Sequence, residues 1–275
     1  MDKVGSALLA TIGGLVWASP ACADPSAGER VAVAEAELRG AEMYDYDQAA
    51  WHATDSFRAD LERSGGGTDG LAGYVVEPSG DGQLLTTFYG DRKGVRLAFA
   101  TYWVSGNQVV RGGIVPPDGA SGLSLVATRM ISAREVAIRA ASKGDHGLCS
   151  GSPPNTLVLP PRTDGTIPVY LLTSATDAAT YPAGGHYRFD IGADGKLSNE
   201  RRFMKSCFPL NFAPRGDSRP AGVFLTHLLD AQPTEVHVFV SLNIPVTLMV
   251  GTVSNRQIWA VNHGKVRYVG PIPDR

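Results

Sequence analysis

The sequence predicts an α+β protein, with N-terminal helices and a four-stranded antiparallel meander followed by a mostly antiparallel β-sandwich or open barrel. Apolar residues recur at helical spacing before residue 65, and from residue 71 the period changes to two. After residue 155 short strand-like segments and turn clusters alternate. Residues 167–207 show this organisation best: they are predicted as strand, loop, strand, tight turn and strand, ending on Cys207.

Composition and charge restrict the class of protein. The chain has 275 residues, of which 43% are hydrophobic and 19% charged, and this balance is typical of a folded globular protein. The formal net charge is −2 and charges of both signs are interspersed. We therefore expect neither nucleic acid nor an anionic membrane surface as a partner.

Residues 1–23 have the pattern of a signal peptide. An apolar run at 4–17 precedes an A-x-A site that ends at Ala23. The run is shorter than the roughly 20 apolar residues that span a bilayer. We predict cleavage before Asp24 and a soluble, periplasmic or secreted protein without membrane insertion after cleavage.

Two alternatives remain for this segment. It could stay on the protein as a hydrophobic terminal helix, or Cys22 could carry a lipid anchor. Ser19 disfavours the anchor, because bacterial lipidation normally requires a Leu-like residue three positions before the cysteine.

Two helices are predicted before residue 65. Ser26 and Glu29 have capping-box spacing and begin the first. Its apolar face consists of Val31, Ala34, Leu38 and Ala41. Asp47 is a candidate cap for the second helix, and 64–67 (Ser-Gly-Gly-Gly) ends it. The apolar face of this helix consists of Ala50, Trp51, Ala53, Phe57 and Leu61.

The alternation between residues 71 and 115 predicts four antiparallel strands joined by short turns. A helix over 121–142 follows, with an apolar face that comprises Leu123, Ala127, Met130, Ala137 and Ala141. Together with the first helices these elements form a predicted α+β domain over 24–145.

The segment 143–155 is rich in Gly, Ser and Pro and marks a predicted domain boundary. Beyond it, 150–275 is predicted as an all-β domain. The alternation in 234–242 indicates one of its strands.

Four motifs in the second half carry a resemblance: IPVYLLT, GGHYRFDIGADGK, KSCF and PTEVHVFVSL. They resemble uncharacterised exported proteins of Gram-negative bacteria, a group without an established activity. The resemblance implies export and assigns no functional residue.

Signal cleavage removes Cys22 and leaves Cys149 and Cys207. An even cysteine count in an oxidising compartment predicts a disulfide between them. The alternative is a pair of buried free thiols.

Gly147 and Gly151 flank Cys149 at nucleophile-elbow spacing, but Pro153 and Pro154 follow where the elbow needs a helix. A cysteine nucleophile is therefore disfavoured.

A second set of side chains could carry chemistry. The set is His227, Asp230, Glu235 and His237, joined by His186 and Asp190. If 234–242 is a strand, Glu235 and His237 share one face, where imidazoles and carboxylates could hold a divalent metal or form an acid/base pair. No H-E-x-x-H motif is present. The alternative interpretation is the solvated face of a half-buried sheet.

Two functional hypotheses follow. The first is an exported, non-catalytic module without a cofactor, which binds an unknown envelope component or a small molecule. The second is a periplasmic hydrolase, metal-dependent if His227, Glu235 and His237 converge.

Overall fold

A computed structural model describes residues 24–92, 94–116, 119, 122–214, 216, 218 and 220–273. The signal-peptide prediction lies outside the described residues. The helices are α1 (Ala27–Ser64), α2 (Leu125–Ala141) and α3 (Glu235–Asn243). The strands are β1 (Leu71–Ser79), β2 (Gln83–Arg92), β3 (Val95–Ser105), β4 (Gln108–Ile114), β5 (Asn155–Val158), β6 (Ile167–Leu172), β7 (Thr180–Pro182), β8 (Tyr187–Ile191), β9 (Leu197–Arg202), β10 (Pro209–Asn211), β11 (Gly222–His227), β12 (Thr247–Thr252), β13 (Gln257–Asn262) and β14 (Lys265–Pro271). The predicted α+β class is confirmed.

Helix α1 begins and ends where the sequence predicts. Ser26 and Glu29 form the capping box, and Gly65 ends the helix with φ 64°. The division into two helices is wrong, because the helix runs through Asp47 without interruption. No proline stands between 41 and 47 to break it.

The buried face of α1 also differs from the prediction. Val31 is 60% exposed and Leu38 is 76% exposed. Of the face predicted for the second helix, Ala50, Ala53 and Phe57 are buried as predicted, whereas Trp51 is 55% exposed. The other buried residues of α1 are Ala36, Gly40, Met43, Tyr46, Gln48 and Ala49. Helix α1 packs against both the meander and α3, and these two neighbours select its buried face.

The predicted meander is confirmed as the antiparallel sheet β1-β2-β3-β4. Val76 and Phe88 belong to the apolar cluster around α1, whereas Val75 and Tyr89 belong to the cluster around α2. Since side chains alternate along strands, α1 and α2 cover opposite faces of this sheet.

The strands after residue 155 lie in three sheets. Strands β5-β6-β8-β9 form an antiparallel sheet, β7 pairs with β10, and β11-β12-β13-β14 form a mixed sheet. Strands β11 and β12 are parallel. Parallel neighbours need a crossover connection, and α3 lies in the segment that joins them.

The strand predicted for 234–242 is wrong, because this segment is helix α3; residues 150–275 are therefore not all-β. Thr234 occupies the N-cap position and every residue from Glu235 to Ser241 is buried. A helix buried on all sides has no polar face, so its alternating valines resemble a strand.

Two clusters of buried residues form the core. The larger joins α1, α3 and the meander, and the smaller lies between α2, the meander and β5-β6-β8. Both clusters contain residues from before and after the segment 143–155, and the domain division at this segment stays a prediction. Across the described part of the chain, no helix combines the length and apolar character needed to cross a membrane.

Candidate functional site

The predicted disulfide is present. Cys149 and Cys207 are bonded, with their Cα atoms 5.2 Å apart. This bond consumes the Cys149 thiol, and a cystine sulfur has no thiolate with which to attack a substrate.

Helix α3 separates two of the predicted site residues. Glu235 and His237 are two positions apart, which is about 200° around a helix of 3.6 residues per turn. Glu235 therefore faces Arg188 and Tyr170, whereas His237 contacts His227. The shared face that a strand would have given them does not exist.

His227 and His237 form a buried pair, with ring centroids 4.6 Å apart and the rings nearly perpendicular. Nε2 of His227 donates to Asp230 Oδ2 at 2.9 Å, and Asp230 Oδ1 accepts from Arg201 at 2.9 Å. Burial alone would raise the pKa of Asp230. The hydrogen bond from His227 and the charge of Arg201 outweigh burial and hold that pKa below its usual value.

The hydrogen bonds fix the tautomers of the other two histidines. Nδ1 of His237 accepts from the backbone N–H and the hydroxyl of Thr234, so a neutral ring carries its proton on Nε2. His186 accepts from the Thr173 N–H through Nδ1 and donates from Nε2 to the Pro182 carbonyl. Burial lowers the pKa of His186 to about 4 and that of His237 well below 6.5.

These tautomers oppose metal binding at the predicted cluster. His186 and His237 have no free imidazole lone pair, because Nδ1 of each ring accepts a hydrogen bond. Among the three rings, only His227 keeps a free lone pair, on Nδ1. Within the described ranges, no group of three or more His, Cys, Asp or Glu side chains could hold a metal ion.

A polar cleft lies next to this cluster and was not predicted. Its volume is about 280 Å³, and four guanidinium groups and two carboxylates line it: Arg39, Arg162, Arg188, Arg201, Glu35 and Glu235. They come from α1, the β5–β6 loop, β8, β9 and the start of α3. We call this site the arginine cleft.

Arg188 is fixed by two carboxylates. It donates to Glu235 Oε1 at 2.6 Å and to Asp190 Oδ2 at 3.1–3.2 Å, and its side chain is 13% exposed. Glu235 also accepts from the Tyr170 hydroxyl, and Asp190 from the Asn199 amide. This network holds Arg188 rigidly and engages both carboxylates that the sequence had suggested for chemistry.

Arg39 and Arg162 are far less neutralised. Arg162 reaches Asp190 only at 3.4 Å, and its buried Nε has no hydrogen-bond partner among the described residues. Arg39 forms no ion pair within 4 Å with any residue that the structure describes. Both charges act on Glu42, whose pKa burial raises. Donors remain available on these two guanidinium groups.

Local sequence patterns connect only two of the side chains at this site. Arg188 and Asp190 are two residues apart in β8, so alternation places them on the same face of the strand, where they form an ion pair. Arg39 and Arg162 stand 123 positions apart in the sequence, and no local pattern connects them.

Comparisons with protein-family models, with curated proteins and with solved structures find no match to this chain.

Proposed function

We propose that the chain is an exported, non-catalytic binding protein whose ligand is a small molecule with carboxylate or phosphate oxygens, held in the arginine cleft. One observation carries the proposal: four guanidinium groups from separate segments converge on one polar cleft, and two of them keep unused donors.

The chemistry of arginine supports an anionic ligand. A guanidinium presents parallel N–H donors that match carboxylate and phosphate oxygens, and such charge-assisted bonds are stronger than neutral ones. Arg188 and Arg201 are held by Glu235, Asp190 and Asp230, which fixes these two guanidinium groups before a ligand arrives. Little ordering is then needed on binding.

The start of α3 adds to the positive potential of the cleft. Pro233, Thr234 and Glu235 line it, so the N-terminal end of this nine-residue helix lies at the site. Helix N-termini carry a partial positive charge that favours anions. Here it supplements the arginines and does not define the site.

The hydrolase hypothesis has weaker support. The one favourable observation is the His227–Asp230 hydrogen bond, which has the form of an oriented general base. His227 is fully buried, and Glu235 is engaged by Arg188. Neither group reaches the cleft as a free acid or base.

The test is anion binding to the mature chain, residues 24–275, by calorimetry with phosphate, sulfate, citrate and succinate. The double variant Arg39→Gln/Arg162→Gln should weaken the best-bound anion about tenfold or more, because each lost charge-assisted hydrogen bond contributes about 1.5–3 kcal/mol. The matched control is Arg58→Gln/Arg139→Gln, which removes two exposed arginines outside the cleft. Equal affinities for the two double variants would contradict the proposal.

A further inference from the structure

A second cavity, of about 330 Å³, lies between α2 and the sheet β5-β6-β8-β9. It shares no lining residue with the arginine cleft. Its walls are mainly apolar and comprise Ile138, Ala141, Leu148, Pro154, Leu171 and Tyr187. This volume is at the lower end of the roughly 300–1,000 Å³ of small-molecule sites.

One cation lining this cavity has no counter-ion. Arg134 donates from Nε to Thr156 Oγ1 at 2.8 Å and also hydrogen-bonds the Tyr89 side chain, so both partners are uncharged at neutral pH. Its neighbour Glu135 pairs with Arg96 at 2.8 Å instead. No carboxylate of the described residues lies within ion-pair distance of Arg134.

The other polar groups of the cavity are already engaged. His146 bonds the Ala141 carbonyl through Nδ1 at 3.0 Å and Glu200 through Nε2 at 2.6 Å. The Tyr187 hydroxyl donates to the Gly147 carbonyl at 3.0 Å. Arg134 is therefore the charged group that remains for a ligand.

The wall on the loop side is held in place. Leu148 lies between Gly147, whose carbonyl accepts a hydrogen bond from Tyr187, and Cys149, which forms the disulfide with Cys207. A wall fixed by a covalent bond and a hydrogen bond needs little reorganisation when a ligand enters.

We propose that this cavity binds an aliphatic monocarboxylate of medium chain length. The carboxylate accepts hydrogen bonds from the Nη hydrogens of Arg134 that the bond to Tyr89 leaves unused, and such charge-assisted bonds are strong. The chain lies along Ile138, Leu148 and Leu171 and loses apolar surface to water. A neutral alcohol of the same length leaves the guanidinium unpaired, and an amine places a second cation beside it.

The experiment measures octanoate binding to the mature chain by calorimetry at pH 7.5, with octanol and octylamine as uncharged and cationic probes. Octanoate should bind at least about tenfold more tightly than octanol, because its carboxylate makes charge-assisted hydrogen bonds. Arg134→Gln should remove this preference. Arg139→Gln, which changes an exposed arginine of the same helix, should keep it.

Two further variants separate this site from the rest of the molecule. Ala141→Leu extends a side chain into the cavity and should weaken octanoate binding while Arg134 is unchanged. Arg39→Gln/Arg162→Gln should leave octanoate binding intact, since the arginine cleft is separate. Thermal unfolding of each variant verifies that it is folded. Absence of octanoate binding to the wild-type chain, or equal affinities for Arg134→Gln and Arg139→Gln, would overturn the proposal.

Discussion

Gly40 of α1 lies so close to Val238 of α3 that a Cβ built on residue 40 would be 2.5 Å from the Val238 Cβ and 2.7 Å from the Glu235 carbonyl oxygen. Only a glycine allows this approach, because no real Cβ contact is so short. The contact positions two sides of the arginine cleft, since Arg39 precedes Gly40 and Glu235 begins α3.

Gly40→Ala should therefore destabilise the protein by about 3 kcal/mol, the upper part of the range for overpacked cores, because one of the clashing atoms belongs to the backbone. Urea unfolding measures the change. Gly28→Ala is the matched control in the same helix, where an added Cβ meets only Ser26 Oγ at 3.9 Å. The control should change stability by less than about 1 kcal/mol. Similar effects of the two substitutions would contradict the described α1–α3 packing.

The disulfide predicts a thiol count. The predicted mature chain, residues 24–275, contains two cysteines, Cys149 and Cys207, so this protein, exported to the periplasm of an expressing bacterium, denatured and unreduced, should show no titratable thiol. The bond closes a sequence separation of 58 residues. Replacing both cysteines by serine should lower the free energy of unfolding by roughly 4 kcal/mol in the chain-entropy model. Two titratable thiols in the wild-type protein would refute the bond.

The buried histidines predict a loss of stability in mild acid. Burial lowers the pKa of His186 to about 4 and that of His237 well below 6.5. Below pH 6.5 these two histidines bind protons in the unfolded chain but not in the folded chain. The contribution of the two histidines to stability is therefore complete above pH 6.5 and falls from there toward pH 4. Each histidine contributes at most about 1.4 kcal/mol per pH unit. Urea unfolding between pH 7.5 and 4.5 measures this dependence.

Asp47 changes the stability with pH in the direction opposite to that of the histidines, and it provides the control. Burial raises its pKa to about 6, so the folded chain takes up this proton before the unfolded chain does, and acidification from pH 6 to 4 stabilises the fold. Burial also raises the pKa values of Glu42 and Asp45. Asp47→Asn should raise stability at pH 7 by on the order of 1–2 kcal/mol and steepen the loss in acid. An unchanged pH profile would contradict the burial of this carboxylate.

The signal pattern predicts the mature N-terminus. Protein expressed in a Gram-negative bacterium should begin at Asp24, because an A-x-A site ends at Ala23 after a short apolar run. Mass spectrometry of the N-terminal peptide determines the cleavage site. A chain that retains Met1 and stays in the cytoplasm would show that the prediction is wrong.

The domain division predicts the first site of proteolysis. The segment 143–155 is rich in Gly, Ser and Pro, so limited digestion should cut there before it cuts within the sheets. A cut before Cys149 leaves both cysteines on the second fragment, so the two fragments separate without reduction, whereas a cut after Cys149 leaves the fragments joined through Cys207 until the disulfide is reduced. Fragment masses under reducing and non-reducing conditions therefore locate the cut. Initial cleavage inside β1–β4 would contradict the division.

The sequence determined the features that depend on local or covalent chemistry. The capping box at Ser26 and the glycine stop at Gly65 involve neighbours a few residues apart. The turns of the meander are equally local, which is why its four strands are found where the alternation places them. The cysteine pair was predicted from the even count that remains after the expected signal cleavage, and the bond is present.

Tertiary structure decided the features that depend on distant partners. Helix α3 is buried on every side, so its pattern contained no polar face from which to recognise a helix. The buried face of α1 was chosen by contacts with α3 and the meander, which lie far away in sequence. Arg39, Arg162 and Arg188 converge only because the chain folds α1, a loop and β8 together. No local periodicity in the sequence predicts this convergence.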